Sequence, residues 1–495
     1  MRFLPYAPSL GPHIPSAGLV LALLWAGLVA TPRRAICAPS VEAPLLKIRL
    51  ETHLTSYASR PGSSFRAVVI ADYERNGDIL ISRGSLIYGT VRRATSVGLG
   101  LRHERARLAL QFREYQMPDG DRFPFAARLV SIDNAREAVL PDGQIRGVLA
   151  AQNPNGLLGG FWYNPGSDLF WFHSAIGLTG VSNQLLKAFS MGMPGGAALL
   201  AVRCAMFRFP EPEIHLPPGT DMNLAVTSVL SPAPELPGVA PTPLPERLAA
   251  DLESLPREIT RRNGRPVDDI VNIAFIGSRQ LLTQAFTAAG WSTADPGSAR
   301  SYSQAYIAFS SKHSYSTAPV SKLFYQGLPA DLVFQKSFNT ITKRDHIRIW
   351  HLGVLDGLEV WLGAATHDSG ITFRTTALAF SHKIDGALDV ERAKIIDDLS
   401  FAGCLAPAAY IERASASRLG MQGFVTTDGK LAVVSVEDCH SSLLAADAGS
   451  APPPPGNKFT RITRRFILES RNYVLRENAY YWTYQLIRFH GLGGQ

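Results

Sequence analysis

The chain has 495 residues, 46% of them hydrophobic and 18% charged, so it is long enough for two or more folded domains and too apolar to be a disordered protein. Its net charge is +8, but the Lys and Arg residues are scattered rather than massed in a block. That distribution argues against a nucleic-acid binder and fits a basic protein working near anionic lipid.

Arg2 precedes an uncharged run at residues 17–30 (AGLVLALLWAGLVA). The run is shorter than the roughly 20 residues that span a bilayer. Residues 1–38 therefore read as a secretory signal, cut near Ala30 or Ala38. Arg33 and Arg34 follow the run closely, so a retained N-terminal anchor is the alternative. Both readings place the body of the chain in the bacterial envelope, exported to the periplasm. Export allows Cys404 and Cys439 to pair; the other reading keeps Cys204, Cys404 and Cys439 as buried thiols.

Residues 45–230 read as a mainly β domain. DILISRGSLIYGTV (78–91) carries apolar residues punctuated by Arg83-Gly84 and Gly89. RARLALQFREYQMPDGDRFPFAARL alternates, turns at Pro118-Asp119-Gly120 and returns, which is a hairpin signal. EIHLPPGTDMNLAVTSVL (213–230) has the same grammar of strand, Pro-Gly turn and strand. Between them a helical insertion is expected at about 155–205. Residues 169–186 and 188–202 there contain no Asp, Glu, Lys or Arg. They read as short buried helices or as a membrane-inserting hairpin.

Residues 231–248 (SPAPELPGVAPTPLPERL) are proline-rich and mark a linker over 231–259. A second proline-rich break covers 446–458. The region between, 260–445, reads as an α+β domain with a mixed sheet. IVNIAFIGS is a buried strand closed by Gly277. RQLLTQAFTAAGW follows with Leu282, Phe286 and Ala289 on one helical side, and this strand-turn-helix unit reads as packing or as a phosphate cradle. Three strand-like runs come next: HIRIWHLGV, LEVWLGAATH and ITFRTTALAFSH. The first two suit a hairpin turning at Asp356-Gly357, and Ser369-Gly370 reads as a tight turn before the third. A helix with Asp389 as N-cap then presents Ile395, Ile396 and Leu399. The tail, 459–495, is a basic amphipathic helix striped by Leu475, Trp482, Leu486 and Phe489. It docks on the protein or lies on a membrane surface.

Two resemblances follow from these motifs. ILISRGSLIYGTV, ARLALQFREYQMPDG, NQLLKAF and EIHLPPGTDMNLAV, in that order, resemble the TrbI-like family of conjugation-channel subunits. That likeness implies a β domain of a secretion-related assembly, although the family places this domain last and here another follows. VNIAFIGS, AFTAAGW, TAPVSKLFYQGLPADLVFQK, KRDHIRIWHLG, WLGAATHDSGI and SHKIDGALDVERAKIIDDL resemble the LssY C-terminal domain family. This second likeness implies an envelope-associated domain and no established activity.

The second domain concentrates ionisable groups: Arg344, Asp345, His346, Arg348, His367, Asp368, His382, Lys383, Asp385, Asp389, Glu391 and Arg392. Histidines beside carboxylates suit acid–base chemistry or metal ligation. In a hairpin, Asp345, His346, His367 and Asp368 come together as the candidate catalytic group, with His346 and His367 as candidate ligands of a divalent metal. The tight turn at Ser369-Gly370 would carry His382 away from them. Arg348 and Arg392 read as partners for buried Asp389 or Glu391. The structural alternative for His346 is a residue bonded to a neighbouring carboxylate or backbone. No HExxH, CxxC pair or GxSxG names a reaction. Two functions stay open: an envelope assembly or binding module, with envelope proteins or a membrane surface as partners and no nucleic acid; or a periplasmic hydrolase or small-ligand domain centred on the four-residue group.

Overall fold

Alternation builds the first domain. In β1 (Leu46–Leu50), Leu46, Ile48 and Leu50 are buried while Lys47 and Arg49 face outward. The same period of two, interrupted where bulges shift the register, marks β2 (Ser64–Val69), β3 (Leu86–Thr95), β4 (Arg107–Gln116), β5 (Arg122–Ile132) and β6 (Asp221–Val229). These strands pair in the order β3-β2-β1-β6-β5-β4, and β3 also pairs with β4. The result is a closed six-stranded barrel, and two short strands, Ile145–Arg146 and then Ala138–Val139, extend the sheet from one end of β4. The β4–β5 hairpin turns where expected, with Gly120 at φ 106°. Gly89 is required at its place, since a Cβ there would lie 2.4 Å from the Phe65 ring.

The computed structural model describes residues 44–99, 103–133, 136–147, 212–229, 243–311, 315–337, 344–374, 379–413, 416–419, 424–440, 456–461, 463–464 and 467–468. The expected signal segment, the helical insertion and the striped part of the tail lie outside these residues. So do residues 231–242 of the expected linker. The rest of that linker is ordered: α1 (Glu246–Ser254) and a strand at Glu258–Thr260 fall within it. Leu248 and Leu252 are buried one helical turn apart, so this part of the segment carries core residues as well as prolines.

The second domain is a mixed sheet. Its strands are β7 (Ile273–Ile276), β8 (Ser292–Thr293), β9 (Leu332–Ser337), β10 (Arg344–Leu355), β11 (Leu358–Arg374), β12 (Ala379–Ile384), β13 (Ala409–Ile411) and β14 (Leu431–Ser435). They pair in the order β8-β9-β10-β11-β7-β14-β13, and β12 adds to β11. Only β7 and β14 run parallel among the pairs of this sheet. One face is covered by α2 (Arg279–Ala288) and α4 (Leu388–Phe401), through Leu282, Phe286, Ile395 and Leu399. The opposite face is covered by α1 and a small four-stranded sheet. A further helix, α3 (Ala299–Ser311), lies between β8 and β9 in the chain. Gly277 closes β7, and Ser278 caps α2 by accepting from the Leu281 N–H at 3.2 Å.

β10 and β11 form the expected hairpin. Leu355 pairs with Leu358, and both turn residues have positive φ (Asp356 53°, Gly357 79°), the geometry of a two-residue I′ turn. The expected turn at Ser369-Gly370 is absent. β11 runs unbroken from Leu358 to Arg374, and the extra residue is absorbed as a bulge between Asp368 and Gly370. The β10 ladder ends at Asp368, and β12 takes over, pairing with Asp368 and then with Gly370–Arg374; that ladder holds the chain extended where a turn would break it. Asp389 is likewise not the cap of α4: the helix starts at Leu388 with Ala387 as N-cap.

The barrel and the sheet domain meet along α4. The outward residues of β1, β5 and β6 face that helix, and Phe401 packs with Val68 and Ile70. The chain's last described segment returns to the barrel. There Leu468 enters the barrel core and Arg464 donates to Glu213 Oε1 at 2.7 Å.

Candidate functional site

Adjacent residues of a strand point to opposite faces, so Asp345 and His346 are separated by the sheet itself. The register pairs Asp345 with His367, His346 with Thr366, and Arg344 with Asp368. Asp345 and His367 therefore share the α4 face. Arg344, His346, Arg348 and Asp368 share the other. The four residues expected to form one centre are two pairs on two faces.

On the face away from α4 the groups form a buried clasp. Arg344 donates from Nε to Asp368 Oδ2 at 2.9 Å and from Nη1 to Gln335 Oε1 at 3.1 Å. His346 Nδ1 lies 3.6 Å from the same Asp368 oxygen. Arg348 donates to Asp269 Oδ2 at 2.8 Å and to the Ser321 carbonyl at 3.2 Å, and Thr366 donates to Asp269 at 3.3 Å. Burial pushes the Asp269 carboxyl up against the pull of Arg348. All these side chains are almost fully buried, so the clasp ties strands together and presents no open coordination position.

On the α4 face the groups open into a cavity. It holds about 370 Å³ and is walled by Lys47, Ile70, Ser131, Asp133, Asp221 and Asn223 of the barrel, and by Asp345, His367, Glu391, Lys394 and Asp397 of the sheet domain. His367 Nδ1 stands 2.5 Å from Asp345 Oδ1. Burial disfavours the imidazolium, but this bond and the Asp345 charge outweigh it and raise the His367 pKa. One turn into α4, Glu391 points back at Asp345. Burial first, and then the Asp345 charge, push the Glu391 carboxyl well above the usual range. Asp345, His367 and Glu391 each offer a ligand atom within 4.8 Å of the other two. Asp345 Oδ2 and Glu391 Oε1 have no hydrogen-bond partner among the described residues.

A charge network surrounds this group and joins the domains. Arg49 of β1 donates to Asp221 at 2.7 Å and to Asp398 at 2.7 Å. Asp398 also accepts from Lys336 at 2.9 Å and from Trp291 Nε1 at 3.0 Å. Lys394 reaches Asp133 at 2.9 Å, Asp221 at 3.1 Å and Asp345 Oδ2 at 3.8 Å. Lys47 bonds Asp397. Although burial favours the neutral forms, the cations hold Asp221 well below the usual carboxylate range and Asp398 at about 2. Burial would likewise neutralise Lys394, but Asp133, Asp398 and Asp221 raise it well above the ordinary lysine value. Six carboxyl groups (Asp133, Asp221, Asp345, Glu391, Asp397, Asp398) thus meet four Lys and Arg cations (Lys47, Arg49, Lys336, Lys394).

The remaining expected residues divide. Asp385 is exposed at the cavity wall, and its backbone N–H donates to the His367 carbonyl at 2.8 Å. Arg392 pairs with Asp389 at 3.0 Å and with Asp428 at 2.8 Å, and so does not serve Glu391. Arg348 pairs with Asp269 rather than with Asp389 or Glu391. His382 stands in register with Ile371, three positions beyond Asp368, and Lys383 with Gly370. Their side chains lie outside what is described.

Arg49, Asp133, Asp221, Lys336, Asp397 and Asp398 were not expected in the site. One signal was legible: Glu391 and Asp398 occupy the same helical stripe as Leu388, Ile395 and Leu399, a spacing that buries charge. The barrel's contribution had no local signal, because it depends on how two distant segments dock.

Residues 252–431 match the family model for the LssY C-terminus. The match begins in the last turn of α1, covers the sheet domain as far as the first residue of β14, and stops short of the expected end at 445. A solved structure titled "Structure of ComB10 of the Com Type IV secretion system of Helicobacter pylori" aligns over 39% of this chain and 91% of its own. The identity is 13% and the TM-score 0.18, too low to carry an argument. No curated protein matches the chain.

Proposed function

We propose that this chain is an exported, envelope-associated binding module whose two domains act as one body around the junction cavity. One observation carries the reading: a cavity of about 370 Å³ is walled from both domains, and their buried ionisable groups converge on it. Fixed charges in a concave, partly desolvated site are what selective uptake of a small charged ligand needs. Envelope placement is supported by the run at residues 17–30 and by the bond between Cys404 and Cys439, since disulfides persist in oxidising compartments. The LssY C-terminal match supports it further. The TrbI-like turn grammar of the barrel supports a secretion-related assembly as the setting, with envelope proteins or the membrane surface as partners.

Hydrogen exchange tests this reading. The full chain is incubated with and without a low-molecular-weight extract of the periplasm. Slower exchange in β10, β11 and the first turns of α4 is expected. Unchanged exchange there contradicts the reading.

A hydrolytic reading has one observation in its favour, the Asp345–His367 contact at 2.5 Å, which resembles the carboxylate-imidazole half of a general-base system. Turnover of simple esters or phosphoesters that disappears in His367→Ala would select it. Equal rates in both proteins would reject it.

A further inference from the structure

We infer that the junction cavity holds a divalent transition-metal cation of the Mn²⁺–Zn²⁺ class, bound by Asp345, His367 and Glu391. The inference deepens the binding reading above and rests on the same cavity. Three features of the structure carry it.

The first is the donor set. Two carboxylates and one imidazole bring ligand atoms within 4.8 Å of one another. A mixed O,O,N set suits manganese or zinc better than magnesium or calcium, which favour all-oxygen shells. The second is the unsatisfied oxygens. Glu391 is 3% exposed and Asp345 is 0% exposed, yet Glu391 Oε1 and Asp345 Oδ2 have no hydrogen-bond partner among the described residues. A buried carboxyl oxygen without a donor is costly, and two carboxyl groups side by side can share only the one proton that joins Glu391 to Asp345 when no cation is bound. Lys394 relieves this only in part, since its Nζ is committed to Asp133 and Asp221 and stays 3.8 Å from Asp345 Oδ2.

The third feature is charge. The six buried or half-buried carboxyl groups of the junction exceed its four Lys and Arg cations by two. That surplus of acidic over basic side chains favours a bound cation. The site is also built for orientation: β10 and β11 hold Asp345 and His367 in register, and α4 fixes Glu391 opposite. The clasp of Arg344, His346 and Asp368 lies on the far face and takes no part.

Tag-free full-length protein is stripped with chelator and dialysed against Zn²⁺ or Mn²⁺, with Mg²⁺ as control. Bound metal is then counted by elemental analysis and titrated by calorimetry. One equivalent of Zn²⁺ or Mn²⁺ is expected, with Mg²⁺ at least tenfold weaker. Glu391→Gln, nearly isosteric, and His367→Ala should each weaken binding at least tenfold, while His346→Ala keeps it. Co²⁺ substitution gives an independent reading, because its visible spectrum should report nitrogen ligation and lose it in His367→Ala. Should a variant fail to fold, the wild-type stoichiometry and Co²⁺ spectrum still decide. No stoichiometric metal, or binding that survives Glu391→Gln and His367→Ala, overturns the inference. Protection by periplasmic extract without bound metal would sink the cation and leave the binding reading standing.

Discussion

Asp398→Asn is the sharpest test of the junction. Asp398 is 0% exposed and accepts from two cations and one indole: Arg49 at 2.7 Å, Lys336 at 2.9 Å and Trp291 at 3.0 Å. Asparagine keeps the shape and removes the charge. Removing one partner of a buried ion pair costs about 3–5 kcal/mol. Here Asp221 still faces Arg49 at 2.7 Å and Lys336 at 3.6 Å, so the lower end, about 3 kcal/mol, is expected. The pKa gives a second figure of the same order. A carboxyl held at about 2 when folded and 3.8 when unfolded contributes roughly 2 kcal/mol. The folded pKa is the depressed one, so the unfolded chain binds the proton first. The contribution is fully present above about pH 5 and about half gone at pH 3; it is lost as pH falls through about 2. Urea unfolding of the full chain should show Asp398→Asn less stable by about 3 kcal/mol at pH 7, with the gap narrowing below pH 4. A gap under about 0.5 kcal/mol at pH 7, or one that widens on acidification, would refute the network as drawn.

Arg344→Ala should cost about 3 kcal/mol in the same assay, because Asp368 loses its bonded cation beside His346, and Zn²⁺ titration should be unchanged since the clasp faces away from the cavity. Cys404→Ser opens a loop of 35 residues and should destabilise by about 3–4 kcal/mol in the non-reduced protein, a difference that vanishes in reductant. A fusion of residues 1–45 to a reporter active only outside the cytoplasm should be active; a silent reporter in a host that makes the fusion removes the export premise.

The fold was legible wherever the signal was local. Asp356-Gly357 between two alternating runs allows little but a hairpin, and Pro118-Asp119-Gly120 behaves the same way in the barrel. Ser369-Gly370 has turn chemistry, but β12 pairs with β11 on either side of it, at Asp368 and from Gly370 to Arg374, which keeps the strand going and turns the extra residue into a bulge. Closure of the barrel is not legible, since it needs β1 to pair with β6, Leu46 against Leu224, from opposite ends of the domain. The site was half legible. Asp345 and His367 were picked out, and the hairpin register brings them together. His346 and Asp368 were grouped with them because they are next in sequence, although strand alternation assigns them to the opposite face. Glu391 reads from the sequence as a partner for an arginine and instead faces Asp345. The barrel half, Arg49 with Asp133 and Asp221, comes from residues more than 300 positions from Asp398 in the case of Arg49, a docking no local pattern reports.

A crystal of the full chain soaked in Mn²⁺ and measured for anomalous scattering tests the central claim most directly. One strong peak is expected in the junction cavity, between Asp345, His367 and Glu391. A well-ordered cavity with no peak, or a peak among Arg344, His346 and Asp368 on the far face, would contradict it.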